Sequence, residues 1–209
     1  MGLIKICGIT TIEDTWMCID AGADALGFNF YPKSTRYLEP VKALKLFEDI
    51  PPSILKVGVF VNEDPELVRD LSVDLGLDYL QFHGTETPSY CEQFATPYWK
   101  GIPLKDESSL EEMPRYQNTE AFLVDTYAGP VFGGSGVTGN WDLARQSLKY
   151  GKIILAGGLT PDNVSLAIQT VQPYGVDVAS GVERNPGQKD PDKVEKFISE
   201  ARSSFKVPL

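Results

Sequence analysis

Lys5-Ile6-Cys7-Gly8-Ile9-Thr10 and Leu123-Val124-Asp125-Thr126 are apolar runs that each stop on one reactive side chain, a thiol and a carboxyl. A short β-branched run closed by turn residues reads as a strand. Both groups are therefore expected at strand ends, held by a rigid element and projecting beyond it. If the two strands lie parallel in one sheet, thiol and carboxyl enter the same mouth. One can then remove a proton while the other supplies one, which is isomerase chemistry. Each residue also has a plainer reading. A free cysteine packs as a small buried hydrophobe, and an aspartate at a strand end caps the next turn, here through Thr126 or Tyr127. The N-terminus of a helix beginning near Thr10 favours the chemical reading of Cys7, because it stabilises a thiolate.

Two further strings point to an anion. Leu155-Ala156-Gly157-Gly158-Leu159-Thr160-Pro161 reads as strand, glycine pair and helix start, and Ala179-Ser180-Gly181-Val182-Glu183 ends a second strand in small residues. Glycines expose backbone N–H groups, and helix N-termini favour negative charge. Gly157, Gly158, Ser180 and Gly181 are thus candidate phosphate ligands, the alternative being two turns that need glycine for backbone reasons alone. His83, before Gly84, is either a substrate contact or a hydrogen-bonded histidine at a strand end. Arg36, within Lys33-Ser34-Thr35-Arg36-Tyr37, either pairs bidentately with a substrate carboxylate or lies on the surface.

Two motifs fail on context. Gly134-Ser135-Gly136-Val137-Thr138-Gly139 fits G-x-G-x-x-G, but it begins well past a strand end, and no acidic residue ends the strand that follows. Asn163-Val164-Ser165 is a glycosylation sequon, which has meaning only in a secreted chain.

A net charge of -10 opposes a nucleic-acid partner, which needs a positive field, and leaves room for a small anion bound locally. Cys7, Cys18 and Cys91 make an odd number without C-x-x-C spacing, so neither a disulfide framework nor a zinc site is expected, and a reducing compartment fits. One histidine, His83, rules out a histidine-rich metal cluster. Lys5 interrupts the first apolar stretch and no long apolar region follows, so no secretory signal or membrane span is expected. Met1-Gly2 lacks the Ser or Thr that myristoylation needs at the position of Ile6. The expectation is a cytoplasmic protein.

The elements that must position these groups alternate along the chain. Strands are expected over residues 3–7, 25–30, 55–61, 79–82, 98–102, 121–125, 152–156 and 176–179. Helix signals lie between them: Thr10 with Glu13 as a capping box, Thr160-Pro161 and Asp190-Pro191 as N-caps followed by proline, and an apolar helical spacing over 66–75. Segments 86–94 and 108–113 carry weaker patterns. Eight strand–helix units in 209 residues are the count of a closed (β/α)8 TIM barrel with short connections, one domain over residues 1–209. In such a barrel, functional groups sit at strand C-termini, so Cys7, Asn29, His83, Asp125, Gly157 and Ser180 face one opening, and the loops after strands 7 and 8 commonly hold a phosphate. Gly22-Ala23-Asp24, Gly76-Leu77-Asp78 and Gly175-Val176-Asp177 recur where a helix should end, so their aspartates read as structural turns at the opposite end. The glycine-rich segment 127–139 is the one long loop and is expected to cover the mouth.

Taken in order, Lys5-Ile6-Cys7-Gly8-Ile9-Thr10, Ser34-Thr35-Arg36-Tyr37, Gln81-Phe82-His83-Gly84, Val124-Asp125-Thr126, Gly133-Gly134-Ser135-Gly136, Ala156-Gly157-Gly158-Leu159-Thr160-Pro161-Asp162-Asn163 and Asp177-Val178-Ala179-Ser180-Gly181-Val182-Glu183 closely resemble the phosphoribosylanthranilate isomerase family of tryptophan biosynthesis. The resemblance implies a (β/α)8 barrel that performs the Amadori rearrangement of N-(5-phosphoribosyl)anthranilate to 1-(2-carboxyphenylamino)-1-deoxyribulose 5-phosphate, with no metal or organic cofactor. It implies Cys7 as general base, Asp125 as general acid, Arg36 at the anthranilate carboxylate, and Gly157-Gly158 with Ser180-Gly181 as the phosphate cradle; His83 stays a candidate substrate contact on its position alone. The expected partner is a small phosphorylated substrate, and the expected assembly a monomer or homodimer. Departures from the family pattern are Thr35 where proline is common, Phe82 where leucine is common, and no lysine in Gly136-Val137-Thr138-Gly139.

The implied roles make chemical demands. A thiol of reference pKa about 8.5 needs a modest downward shift to act as base near neutrality, and a carboxyl acting as acid must keep its proton above a reference of about 3.9. Three other readings remain. The histidine-pathway aminoaldose isomerases share the chemistry and fold but carry aspartate where this chain has Cys7. A cysteine hydrolase built on Cys7 and His83 lacks an orienting partner. A non-catalytic phospho-ligand-binding barrel would need neither Cys7 nor Asp125.

Overall fold

Eight parallel strands close on themselves in sequence order. They are β1 (Leu3–Cys7), β2 (Ala25–Asn29), β3 (Leu55–Phe60), β4 (Tyr79–Phe82), β5 (Tyr98–Pro103), β6 (Ala121–Asp125), β7 (Ile153–Ala156) and β8 (Gly175–Val178). The computed structural model describes residues 2–126 and 140–206. The expected strands all form, with ends within one residue of those read from the sequence. The segment 127–139 expected to cover the mouth lies outside the described residues, together with the glycine-rich motif it contains.

Side chains alternate across a strand, and this assigns the two cores. On β1, Ile4 and Ile6 face outward and join Leu26, Phe28, Phe60, Phe82, Val124 and Leu155 in the large cluster between sheet and helices. Leu3 faces inward, packing with Ala25, Val57, Trp99, Ala121, Leu123, Ile154 and Ala156 in a second cluster that fills the barrel interior. Lys5 and Cys7 share the face of Leu3. The same parity turns Gln81, Asp125 and Asp177 inward.

The helices are α1 (Ile12–Asp20), α2 (Pro40–Phe47), α3 (Pro65–Asp74), α4 (Pro88–Cys91), α5 (Ser108–Glu111), α6 (Trp141–Ser147), α7 (Val164–Val171) and α8 (Pro191–Ser204). α8 starts as its sequence implies, with Asp190 accepting from the Lys193 N–H and Pro191 in the first turn. Two expected starts are displaced. The N-cap of α1 is Thr11, which accepts from the Asp14 N–H, while the Thr10 hydroxyl donates to the Gly187 carbonyl at 2.7 Å. α7 begins at Val164, because Asn163 ties the preceding turn: its Oδ1 accepts from the Thr160 N–H at 2.8 Å and its Nδ2 donates to the Gly158 carbonyl at 3.0 Å. α4 and α5 span four residues each, so connections are tight. Among the described residues, no helix is long and apolar enough to cross a membrane.

Of the three Gly-x-Asp repeats, two behave as expected. Asp24 accepts from the Ile4 N–H at 2.8 Å and Asp78 from the Lys56 N–H at 2.7 Å, tying turns to neighbouring strands at the end away from the mouth. The third does not. Gly175 opens β8 and Asp177 lies inside it, while the left-handed residue ending α7 is Gln172 (φ 60°). Asp177 is an interior carboxylate rather than a turn residue.

Candidate active site

A cavity of about 410 Å³ opens at the C-terminal ends of the strands. Cys7, Asn29, Arg36, His83, Asp125, Gly157, Gly158, Ser180 and Gly181 all line it, so every candidate from the sequence reaches one space. β1 and β6 are separated around the ring by β8 and β7. Cys7 and Asp125, the last residues of those strands, thus enter from well-separated sectors of the rim.

Cys7 is free and buried. Burial pushes its thiol up, and the ammonium of Lys5, the strongest opposing influence, does not overcome it. This corrects the expectation of a downward shift driven by a helix terminus. The cation that faces the sulfur comes from inside the barrel. The carbonyl of Cys7 accepts a hydrogen bond from Lys189 Nζ at 2.6 Å, which fixes the strand end.

Arg36 is neither a loose surface residue nor free to rotate. Its Nε and Nη2 donate to the two carboxylate oxygens of Glu183, both at 2.7 Å, and its side chain is one-quarter exposed. Glu183 is itself paired with the buried Lys189 at 3.0 Å. Burial works against ionisation of Glu183, but the hydrogen bonds and charges of Arg36 and Lys189 prevail and hold it below the usual carboxylate range. Glu183 and Lys189 belong to a hairpin, β9 (Glu183–Asn185) and β10 (Gln188–Lys189), that follows β8. Two fork–carboxylate bonds of this kind orient a guanidinium strongly.

His83 lies against Gly101, where a Cβ would collide with its ring. Its Nδ1 is 3.3 Å from Gln81 Nε2. Burial lowers its pKa, with the charge of Asp125 only partly opposing, so the imidazole is neutral at pH 7. The turn after it is pinned by Glu86, which accepts from the Gly84 and Asn62 N–H groups and pairs with buried Lys100 at 3.0 Å.

The two glycine turns meet as an anion cradle requires. Gly157 (φ 88°) and Gly158 (φ 68°) occupy backbone conformations that L side chains resist, and both line the cavity. A Cβ on Gly181 would overlap the Leu159 carbonyl, so the loops after β7 and β8 close on each other only because that side chain is missing. Thr126 donates its hydroxyl to the Ala156 carbonyl at 3.1 Å, joining the end of β6 to the first of these loops. Among the described residues, no three His, Cys, Asp or Glu side chains converge as metal ligands.

Sequence reasoning missed Lys5, Asp177, Gln81, Glu183 and Lys189. Strand parity was the available signal for Lys5, since it shares the face of Leu3 and Cys7 and must enter the barrel. No short-range pattern shows that Glu183 would meet Arg36, because the two are 147 residues apart.

Known proteins resemble this chain in sequence and in fold. Residues 4–200 match the family model described as N-(5'phosphoribosyl)anthranilate (PRA) isomerase. Relatives named N-(5'-phosphoribosyl)anthranilate isomerase include one from Geotalea uraniireducens, 48% identical over 97% of this chain and 99% of the relative. Another, from Geobacter sulfurreducens, is 45% identical over 95% and 98%. The crystal structure of phosphoribosyl anthranilate isomerase from Thermotoga maritima superposes with a TM-score of 0.90 at 40% identity, covering 97% of this chain and 100% of that one. A structure of the enzyme in complex with reduced 1-(o-carboxyphenylamino)-1-deoxyribulose 5-phosphate gives 0.88 at 38% identity over the same shares.

Proposed function

Because the chain belongs to the N-(5'-phosphoribosyl)anthranilate isomerase family, we propose that it catalyses the Amadori rearrangement of N-(5-phosphoribosyl)anthranilate in tryptophan biosynthesis, with Cys7 as base and Asp125 as acid. The observation that carries the reading is that Cys7, Asp125 and the two glycine turns open onto one cavity.

The phosphate sits on the backbone N–H groups of Gly157-Gly158 and Ser180-Gly181. The carboxylate of the anthranilate ring meets the edge of the Arg36 guanidinium that Glu183 leaves open. Asp125 delivers its proton to the furanose ring oxygen as the bond from that oxygen to C1′ breaks, and the anilino nitrogen lone pair forms the Schiff base. The Cys7 thiolate then takes the C2′ proton, and the electron pair of that C–H bond moves toward the iminium to give an enolamine. Tautomerisation yields the ketone. C1′ is reduced and C2′ oxidised within one molecule, so no external oxidant or reductant is needed. Neutral His83 can donate or accept one hydrogen bond to a sugar hydroxyl without adding charge beside Asp125. Base and acid entering from separate sectors of the rim let one proton reach the ring oxygen and another leave C2′ without the groups neutralising each other.

A solved structure of the Thermotoga maritima protein, 37% identical, is titled as a dimeric phosphoribosylantranilate isomerase from which monomers were generated. That supports a homodimer as the assembly of this chain.

The test generates the labile substrate in situ from anthranilate and phosphoribosyl pyrophosphate with the transferase that joins them, and follows the loss of its fluorescence. Addition of the protein should accelerate the loss by orders of magnitude over the background. A rate equal to the background would overturn the reading.

A further inference from the structure

Two charged groups inside the barrel, Asp177 on the wall of the cavity and Lys5 behind it, are not used by the proposed proton transfers. Lys5 is fully buried, and its Nζ lies 2.7 Å from Asp177 Oδ1. The strand register places the two residues side by side, Lys5 on β1 opposite Asp177 on β8. On the other flank of β1, Cys7 stands opposite Gly27. A Cβ on Gly27 would be 2.7 Å from Cys7 Sγ and 2.8 Å from Lys5 Nζ, so sulfur and ammonium both lean into the space that the missing side chain leaves. Any larger residue at position 27 would part them.

We infer that Lys5 is a positioning residue whose ammonium supports negative charge on the Cys7 sulfur, and that Asp177 fixes this ammonium in the barrel. The inference deepens the reading of Cys7 as base and rests on it. A buried thiol does not ionise readily without a cation close by, and a buried lysine keeps its proton only beside an anion. Burial alone would discharge Lys5, yet Asp177, with a further contribution from Cys7, keeps its pKa above the ordinary value. The charged groups acting on the sulfur are Lys5 from its own strand, Asp177 from β8 and Lys189 from the hairpin, and Arg36, held by Glu183, feels the thiolate in turn. Gly27, the β2 neighbour of Cys7, brings no charge of its own. One ammonium therefore serves two anions: the Asp177 carboxylate at all times, and the sulfur when it ionises. Asp177 both secures the cation and competes for it.

The two partners make opposite predictions. Removing the cation should make the thiol harder to ionise, and removing the competing carboxylate should make it easier. Lys5→Met alone leaves an unpaired buried carboxylate, which endangers folding. The double variant Lys5→Met/Asp177→Asn removes both charges and keeps the size of the side chains. The readout is the rate at which iodoacetamide alkylates Cys7 as a function of pH, measured by mass spectrometry on the peptide containing it, so that Cys18 and Cys91 do not contribute. No turnover is involved. A failure of Cys7 as base would show as an active Cys7→Ala variant, whereas a failure of the Lys5 inference shows only in the alkylation profile.

The midpoint for the double variant should still rise above wild type, because Lys5 acts on the sulfur more strongly than Asp177 does. The rise should be less than the about one to three pH units that loss of a lone cation gives, and alkylation at pH 7 should slow accordingly. Asp177→Asn should move the midpoint down. In turnover, the double variant should lose kcat far more than it changes KM, because neither residue belongs to the glycine turns or to the Arg36–Glu183 fork. A double variant that melts like wild type and keeps the wild-type midpoint would overturn the inference. So would a midpoint raised by Asp177→Asn, or a wild-type Cys7 that stays unalkylated at every pH.

Discussion

Replacing Gly181 by alanine tests the phosphate cradle through a single methyl group. The added Cβ would overlap the Leu159 carbonyl oxygen and also stand 2.9 Å from the carbon of that carbonyl and 3.2 Å from Val178 Cγ2. Ordinary contacts begin near 3.4 Å, and two of these three atoms are backbone. The loops after β7 and β8 must therefore part, carrying the N–H groups of Gly157-Gly158 and Ser180-Gly181 away from a common anion. A hydrogen bond to a charged group is worth about 1.5–3 kcal/mol. Losing one raises KM by about ten- to 150-fold, at about 1.4 kcal/mol per tenfold. The overpacking itself should lower stability by about 1–3 kcal/mol. Initial rates across substrate concentration in the fluorescence assay give KM and kcat, and competition by inorganic phosphate reports on the cradle independently. Thermal melting separates a parted loop from a broken barrel. A folded Gly181→Ala protein with unchanged KM and unchanged inhibition by phosphate would refute the placement of the anion there.

Other consequences follow from the same structure. Cys7→Ala and Asp125→Asn should each lower kcat by about 10²–10⁴-fold, the range of general acid–base catalysis, while KM stays within several-fold; near-normal turnover in either removes that residue from the mechanism. Burial pushes the Cys7 thiol up and the thiolate is the active form, so kcat should climb with pH through neutrality; a profile that is flat or falls between pH 6 and 8, tested over roughly that span, argues against a thiolate base. Glu183→Gln releases the Arg36 fork and should raise KM by about tenfold, equivalent to about 1.5 kcal/mol, with kcat little changed. The folded-state pKa of Glu183 is depressed, so its stabilisation is present above the ordinary carboxylate value of about 4.3 and is lost as pH falls through the lower folded value. The melting temperatures of wild type and Glu183→Gln should therefore differ at neutral pH and converge in acid, and a gap that persists in acid would contradict the pairing.

The barrel and the rim of its mouth were legible because each depends on local pattern. A β-branched run closed by glycine, as in Lys5-Ile6-Cys7-Gly8, fixes both the strand and the residue that ends it. The glycine pair at 157–158 is readable because only glycine tolerates those backbone angles easily. Pairings across the closed sheet were not legible. Lys5 and Asp177 are 172 residues apart and become neighbours only when the first and last strands join. Asp177 also shared a Gly-x-Asp spacing with two real turn residues, Asp24 and Asp78, and only the register of β8 separates it from them. Arg36 shows the same limit. Its presence at the mouth followed from its loop, but its orientation depends on Glu183 and Lys189 in a hairpin whose strands are too short to give a strong signal. Helix starts erred by one to three residues where a hydroxyl or amide bonded outside the helix: Thr10 to the distant Gly187 carbonyl, Asn163 to the turn just before it.

The central claim is that base and acid act on one bound sugar from separate sides. A crystal structure of this protein with the reduced, non-isomerisable product analogue tests it most directly. The account predicts the phosphate between the turns at 157–158 and 180–181, the Cys7 sulfur in contact with C2′, and the Asp125 carboxyl across the chain near the former ring oxygen. An analogue bound with either side chain out of contact, or with both on the same side of the sugar, would contradict it.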